Sequence, residues 1–188
     1  MEIRLRGEEL GSRVEPLGLP EIREEGLSVS EYQYYEFRAV DRPLSEEELQ
    51  ALHALSTRAE ITSTSFTNTY HWGDFKGDPD ALMEKSFDAF VYVANWGTRR
   101  FVLRLPGEHR FQALSAYSRG ENVRTRRAGE FSIVEFYSDE EGGEWVQGEG
   151  WMASLIPLRL DLLREDYRCL YLGWLRSVQY DDCADDDC

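Results

Sequence analysis

Residues 87–105, FDAFVYVANWGTRRFVLRL, constrain this chain more than any other stretch. From Phe87 to Ala94 nearly every position is apolar, Asp88 being the exception, so a strand formed here has to be covered on both faces. A turn containing Gly97 follows at Asn95–Thr98, and the run after it alternates. Phe101, Leu103 and Leu105 are expected to point inward, and Arg100, Val102 and Arg104 outward. The pattern predicts a central strand with an antiparallel neighbour. The remaining elements then have to supply cover for that hairpin.

Upstream, Tyr32–Val40 (YQYYEFRAV) is aromatic and short enough for a strand, with Gln33, Tyr35, Phe37 and Ala39 on one face and Tyr32, Tyr34, Glu36 and Arg38 on the other. Ser45 and Glu48 have the spacing of a capping box, and Leu44 and Leu49 that of a hydrophobic staple, so a helix is expected over 46–56. The Thr- and Ser-rich run 60–70 reads as a further strand, which makes strand, helix, strand a βαβ unit with parallel strands. Asp78 and Pro79 signal a helix over 79–86. After the central hairpin a short helix is expected within 109–119, followed by a second hairpin with its turn at Ala128 and Gly129. Residues 145–158 (WVQGEGWMASLIPL) read as a strand interrupted by glycines, and 159–179 as a closing amphipathic helix. The order indicates an α+β domain. Its sheet is expected to be mixed or mostly antiparallel, with an N-terminal βαβ unit, two hairpins and a C-terminal amphipathic helix. Frequent Gly and Pro mark 1–30 as an N-terminal arm, 31–180 forms the single domain, and 181–188 (DDCADDDC) is an acidic tail.

The chain of 188 residues carries a net charge of −15, which repels nucleic acid and anionic membrane and attracts a basic partner. The cysteines Cys169, Cys183 and Cys188 have neither zinc-type spacing nor the even count of a disulfide framework. They point to a reducing compartment. With no apolar leader and no run long enough to span a bilayer, the expectation is a cytoplasmic protein without membrane contact.

Two places could carry function. In the loop HWGDFKGDP, His71 and Asp74 could serve as general base and orienting carboxylate. The competing expectation is a structural loop, with Trp72 and Phe75 plugging the core and Asp74 and Asp78 capping amides. The second place is the segment 99–127, where eight arginines face two acids, a local charge of +6 within a chain of −15. Here Arg99, Arg100, Arg104, Arg124, Arg126 and Arg127 could line one positive sheet face for an anion, flanked by the aromatic Trp72 and Trp96. Phosphate loops, dinucleotide fingerprints and serine-nucleophile elbows are absent, and the spacings indicate no metal site and no cofactor.

At YYEFRAVDRPLSEEEL, YHWGDFKGDP, FDAFVYVANWGTRR, GEGWMASLIPLR and LYLGWL the chain resembles a family of uncharacterised bacterial proteins associated with SWIM-type zinc-finger proteins. The resemblance spans about 32–178 and implies no activity or catalytic residue. It does imply a partner, a zinc-binding and basic protein. The expected function is therefore a non-enzymatic protein-interaction module, an adaptor or regulatory subunit with an acidic surface. The alternative is a protein that binds or processes nucleic acid through an arginine-rich sheet face.

Overall fold

A computed structural model describes residues 31–118, 120–140 and 146–184, with side chains through Arg176. Seven strands form one sheet: β1 (Gln33–Arg38), β2 (Glu60–Thr62), β3 (Ser65–Tyr70), β4 (Ala89–Ala94), β5 (Thr98–Pro106), β6 (Val123–Ala128) and β7 (Phe131–Asp139). Their spatial order is β2-β3-β1-β4-β5-β7-β6, and each neighbouring pair is antiparallel. The architecture is α+β with an antiparallel sheet and a C-terminal helix. The predicted central hairpin is β4–β5, and the predicted second hairpin is β7–β6 beside it.

Helices cover both faces. On one, α1 (Glu46–Leu55) and α2 (Pro79–Lys85) lie over Tyr35, Phe37, Phe66, Phe90, Val102 and Ile133. The opposite face meets α3 (Arg110–Ser115), α4 (Trp151–Leu155), α5 (Pro157–Leu163) and α6 (Arg168–Ala184), over a core that includes Tyr34, Val91, Val93, Phe101, Leu103 and Val134. The α1/α2 face is the more aromatic. Phe37 has no exposed surface; its ring stacks on Phe90 at 4.2 Å and meets Phe66 edge-on at 5.8 Å. A side chain of this size contributes about 1.5–3 kcal/mol when fully buried.

Local chemistry sets the helix ends. The Ser45 hydroxyl accepts from the Glu48 amide, and the Glu48 carboxylate accepts from the Ser45 amide, so the predicted capping box is complete. Asp78 accepts from the amides of Asp80 and Ala81 and opens α2, with Pro79 at its first position.

Several expectations are corrected. The strands flanking α1, β1 and β2, run parallel but are not neighbours, because residues 60–70 form two strands rather than one and the second, β3, lies between them. Thr62 and Ser65 pair across a tight reversal, their hydroxyls 2.6 Å apart, so the strand that reaches β1 runs the other way. The central strand β4 begins at Ala89 rather than Phe87, which precedes it and packs on the α1/α2 face. Arg100, Val102 and Arg104 do lie on the face opposite Phe101, but that face is covered by helices, and Val102 and Arg104 are buried. Residues 145–158 contain no strand among those described. Gly150 adopts a left-handed φ of 86° and starts α4, and Pro157 begins α5. Gly148 lies so close to Tyr34 that any side chain would collide with its ring, while its amide donates to the Tyr32 hydroxyl at 2.9 Å. The predicted closing helix is interrupted at Glu165, left-handed at φ 65°; it resumes where Asp166 accepts from the Arg168 amide. It then runs through Ala184, so the first residues of the predicted tail are helical. The predicted arm at 1–30 lies outside the described residues, as do 185–188 of the tail. No described helix is long and apolar enough to cross a membrane.

Candidate functional site

Strand β1 occupies the centre of the N-terminal half of the sheet, and its first residues organise one end of the molecule. Gln33 is opposite Tyr70 of β3 on one side and Ala94 of β4 on the other, so the loops that follow those two strands flank it. The buried Gln33 amide uses its whole capacity here. Its oxygen accepts from the hydroxyls of Tyr35 (2.8 Å) and Tyr92 (3.2 Å), and its nitrogen donates to Asp74 Oδ1 at 3.0 Å and the Gly73 carbonyl at 3.4 Å. Burial comes first among the causes that push Tyr35 up to about 12 and raise Tyr92 as well, so both phenols stay protonated as donors.

Asp74 thus serves β1 rather than His71, and no hydrogen bond joins the two. The His71 ring lies 6.1 Å from those of Tyr32 and Trp72. Within the same loop Phe75 is buried against Tyr35, Phe37 and Phe66, whereas Trp72 is 71% exposed. The expected pair of core plugs is therefore a single plug, Phe75. Trp72 faces solvent. Across β1, in the β4–β5 turn, Trp96 is 44% exposed, and its neighbour Asn95 bonds the Tyr32 backbone through both its amide and its side-chain oxygen. Two neighbouring strands are each about 4.8 Å from β1, so the segments carrying Trp72 and Trp96 leave the sheet roughly 10 Å apart at one end.

The arginines do not share a face. Strand alternation puts Arg100, Arg104, Arg124 and Arg126 on the α1/α2 face and Arg99 and Arg127 on the other. On the α1/α2 face carboxylates answer them. Arg100 pairs with Glu135 and with Asp80 at 3.1 Å, and Arg126 pairs with Glu84. Arg124 lies 4.6 Å over the Tyr137 ring and Arg127 4.7 Å over that of Phe111. Arg104, only 5% exposed, donates twice to Asp88 Oδ1, at 2.8 and 3.2 Å, and once to the Glu84 carbonyl. Arg159 of α5 closes this cluster, donating to the Arg104 carbonyl at 2.9 Å and to Asp41 at 2.7 Å. Burial alone would raise the Asp88 carboxyl, but the Val40 and Asp41 amides and Arg104 outweigh it and hold it below its usual range. This is a structural joint between the sheet end, the segment after β1, and α5.

On the α6 face, burial raises the Cys169 thiol to about 11, so it is protonated near neutrality and is a poor nucleophile. No three His, Cys, Asp or Glu side chains among the described residues are placed to hold a metal ion.

Sequence reasoning passed over the α4 side chains and Leu158 because 145–158 read as a strand, and over Arg159 because a charged residue opening the expected closing helix carries no sign of burial. The spacing of Trp151, Leu155, Leu158 and Leu162, four, three and four, was the helical signal available. No protein-family model, curated protein or solved structure matches this chain.

Proposed function

We propose that the chain is a non-enzymatic protein-interaction module that docks a partner on the β1 end of the sheet, with Trp72 and Trp96 as anchors. The observation that carries this reading is the pair of exposed tryptophans on segments flanking one strand. Trp is enriched among residues that dominate binding energy, since it buries a large rigid surface at little entropic cost. The ring of polar groups beside them, His71, Asp74 and Asn95, has the composition of an interface rim. A net charge of −15 favours a basic partner, and a zinc-binding protein of the SWIM type would meet that requirement.

The nucleic-acid reading draws less support, because the arginines divide between two faces and most of those on the α1/α2 face already meet carboxylates. The experiment is affinity capture from the encoding organism with the wild type and with Trp72→Ala/Trp96→Ala. A basic protein retained stoichiometrically by the wild type and lost from the double variant is expected. Identical capture by both would overturn the docking surface, and no stoichiometric partner at all would overturn the module reading.

A further inference from the structure

Among the described residues, the α6 face is not sealed. Between β5, β7 and the helices α4–α6 runs a groove of about 480 Å³, within the roughly 300–1,000 Å³ typical of small-molecule sites. Its floor is a cross-strand pair, Phe101 and Phe136, whose rings stack at 6.0 Å. Trp151, Leu155 and Leu158 form one wall, and Leu172 of α6, exposed, forms the opposite rim. One pleat beyond the floor, on the same face, stand Arg99 and its cross-strand partner Ser138. Both line the groove, as does Arg176 of α6. An apolar trough thus ends in two guanidiniums.

Those guanidiniums converge on a carboxylate already. Arg99 Nη1 donates to Glu140 Oε2 at 3.1 Å, and Arg176 pairs with the other oxygen of Glu140. Arg99 Nε is buried and has no hydrogen-bond partner among the described residues. A guanidinium offers five donors and a carboxylate about four acceptor sites, so Arg99 has capacity beyond what Glu140 uses. The neighbouring Cys169, kept as a neutral thiol, adds to the apolar lining rather than to the charge.

We propose that this groove binds a small amphipathic acid, one carboxylate on a hydrocarbon body, with the carboxylate at Arg99 and the body along Phe101 and Phe136. The acid takes the place at Arg99 that Glu140 holds in its absence, so Glu140 is an internal competitor. The site is independent of the protein-partner reading, since neither Trp72 nor Trp96 lines it.

Isothermal titration of the full chain with dodecanoate, below its micelle concentration, tests this. Saturable one-to-one binding is expected, with dodecanol at least about tenfold weaker because a charge-assisted hydrogen bond is lost. Arg99→Gln should weaken dodecanoate by about tenfold or more, and Glu140→Gln should strengthen it by removing the competing carboxylate. Absence of saturable binding to the wild type, or dodecanol binding as tightly as dodecanoate, overturns the proposal. Unchanged affinity in a folded Arg99→Gln variant does the same. If that variant loses its near-ultraviolet circular dichroism, the dodecanol comparison and Glu140→Gln decide, and weaker binding by Glu140→Gln counts against the site.

Discussion

The two faces of the sheet are built from the same strands by the same alternation, yet one is closed and the other is not. On the α1/α2 face, Phe37, Phe66, Phe87 and Phe90 pack around one another, and Phe75, Met83 and Leu52 are fitted into the gaps by a loop and two helices. Its buried charge is answered within the fold, as Arg104 is by Asp88. On the α6 face, Gly173 lets its helix approach Val123 and Phe136 so closely that a Cβ would collide with the valine, but a groove remains between α4–α6 and the Phe101–Phe136 pair of β5 and β7. Aromatic interlock on one side supplies rigidity, and looser helical cover on the other leaves space for a ligand. The difference teaches that a two-sided core need not be equally committed to stability on both sides.

That contrast can be broken most severely at the buried joint. Asp88→Ala leaves Arg104 and Arg159 without their shared carboxylate, and should lower stability by about 3–5 kcal/mol, the cost of stranding a buried charge. Denaturant unfolding reads this directly, and a loss below about 1 kcal/mol would mean that water reaches the cluster. Comparable in size, Phe37→Ala should cost about 3–5 kcal/mol on the closed face, whereas Leu158→Ala beside the groove should fall below about 2 kcal/mol because its neighbours are incomplete. Equal losses at the two positions would erase the distinction between the faces.

A smaller effect is expected at the start of α1. The Arg42 guanidinium holds the Glu48 carboxyl at about 2, burial opposing and the Ser45 amide assisting. A carboxylate depressed below its unfolded value of about 4.3 stabilises the fold above that pH and loses the contribution as pH falls towards 2. Stability of the wild type should therefore decline across this window by more than that of Glu48→Gln, as followed by thermal melts at successive pH values. Ser45→Ala, which removes the other half of the capping box, should cost about 1 kcal/mol at neutral pH. Smallest of all, binding to single-stranded RNA or duplex DNA at low salt should be undetectable. Measurable affinity with a steep salt dependence would restore the arginine face.

The parts legible in the sequence were those in which local pattern and final environment agree. Apolar positions on both sides of β4, the alternation in β5 and the cap at Ser45 each specify their element without knowledge of the rest. The direction of β3 was hidden because Thr62–Ser65 carries neither glycine nor proline, and its reversal is held by hydroxyl contacts. The α4–α5 pair was hidden because Gly148 and Gly150 resemble strand interruptions, whereas Gly148 gives Tyr32 and Tyr34 room to pack and Gly150 supplies the left-handed residue that starts α4. Charge patterning was the least legible. Arginines adjacent in sequence alternate between faces, and their carboxylate partners Asp80, Asp88 and Glu135 come from other elements, so the excess of +6 along 99–127 is divided between the two faces and partly paired.

The most direct test of the unequal faces is amide hydrogen exchange on the full chain with and without saturating dodecanoate. Slowing confined to α4–α6 and the Phe136 end of β7, with α1 and α2 unchanged, is the predicted result. Unchanged exchange throughout, or slowing centred on α1 and α2, would contradict the assignment of the open face to ligand and the closed face to stability.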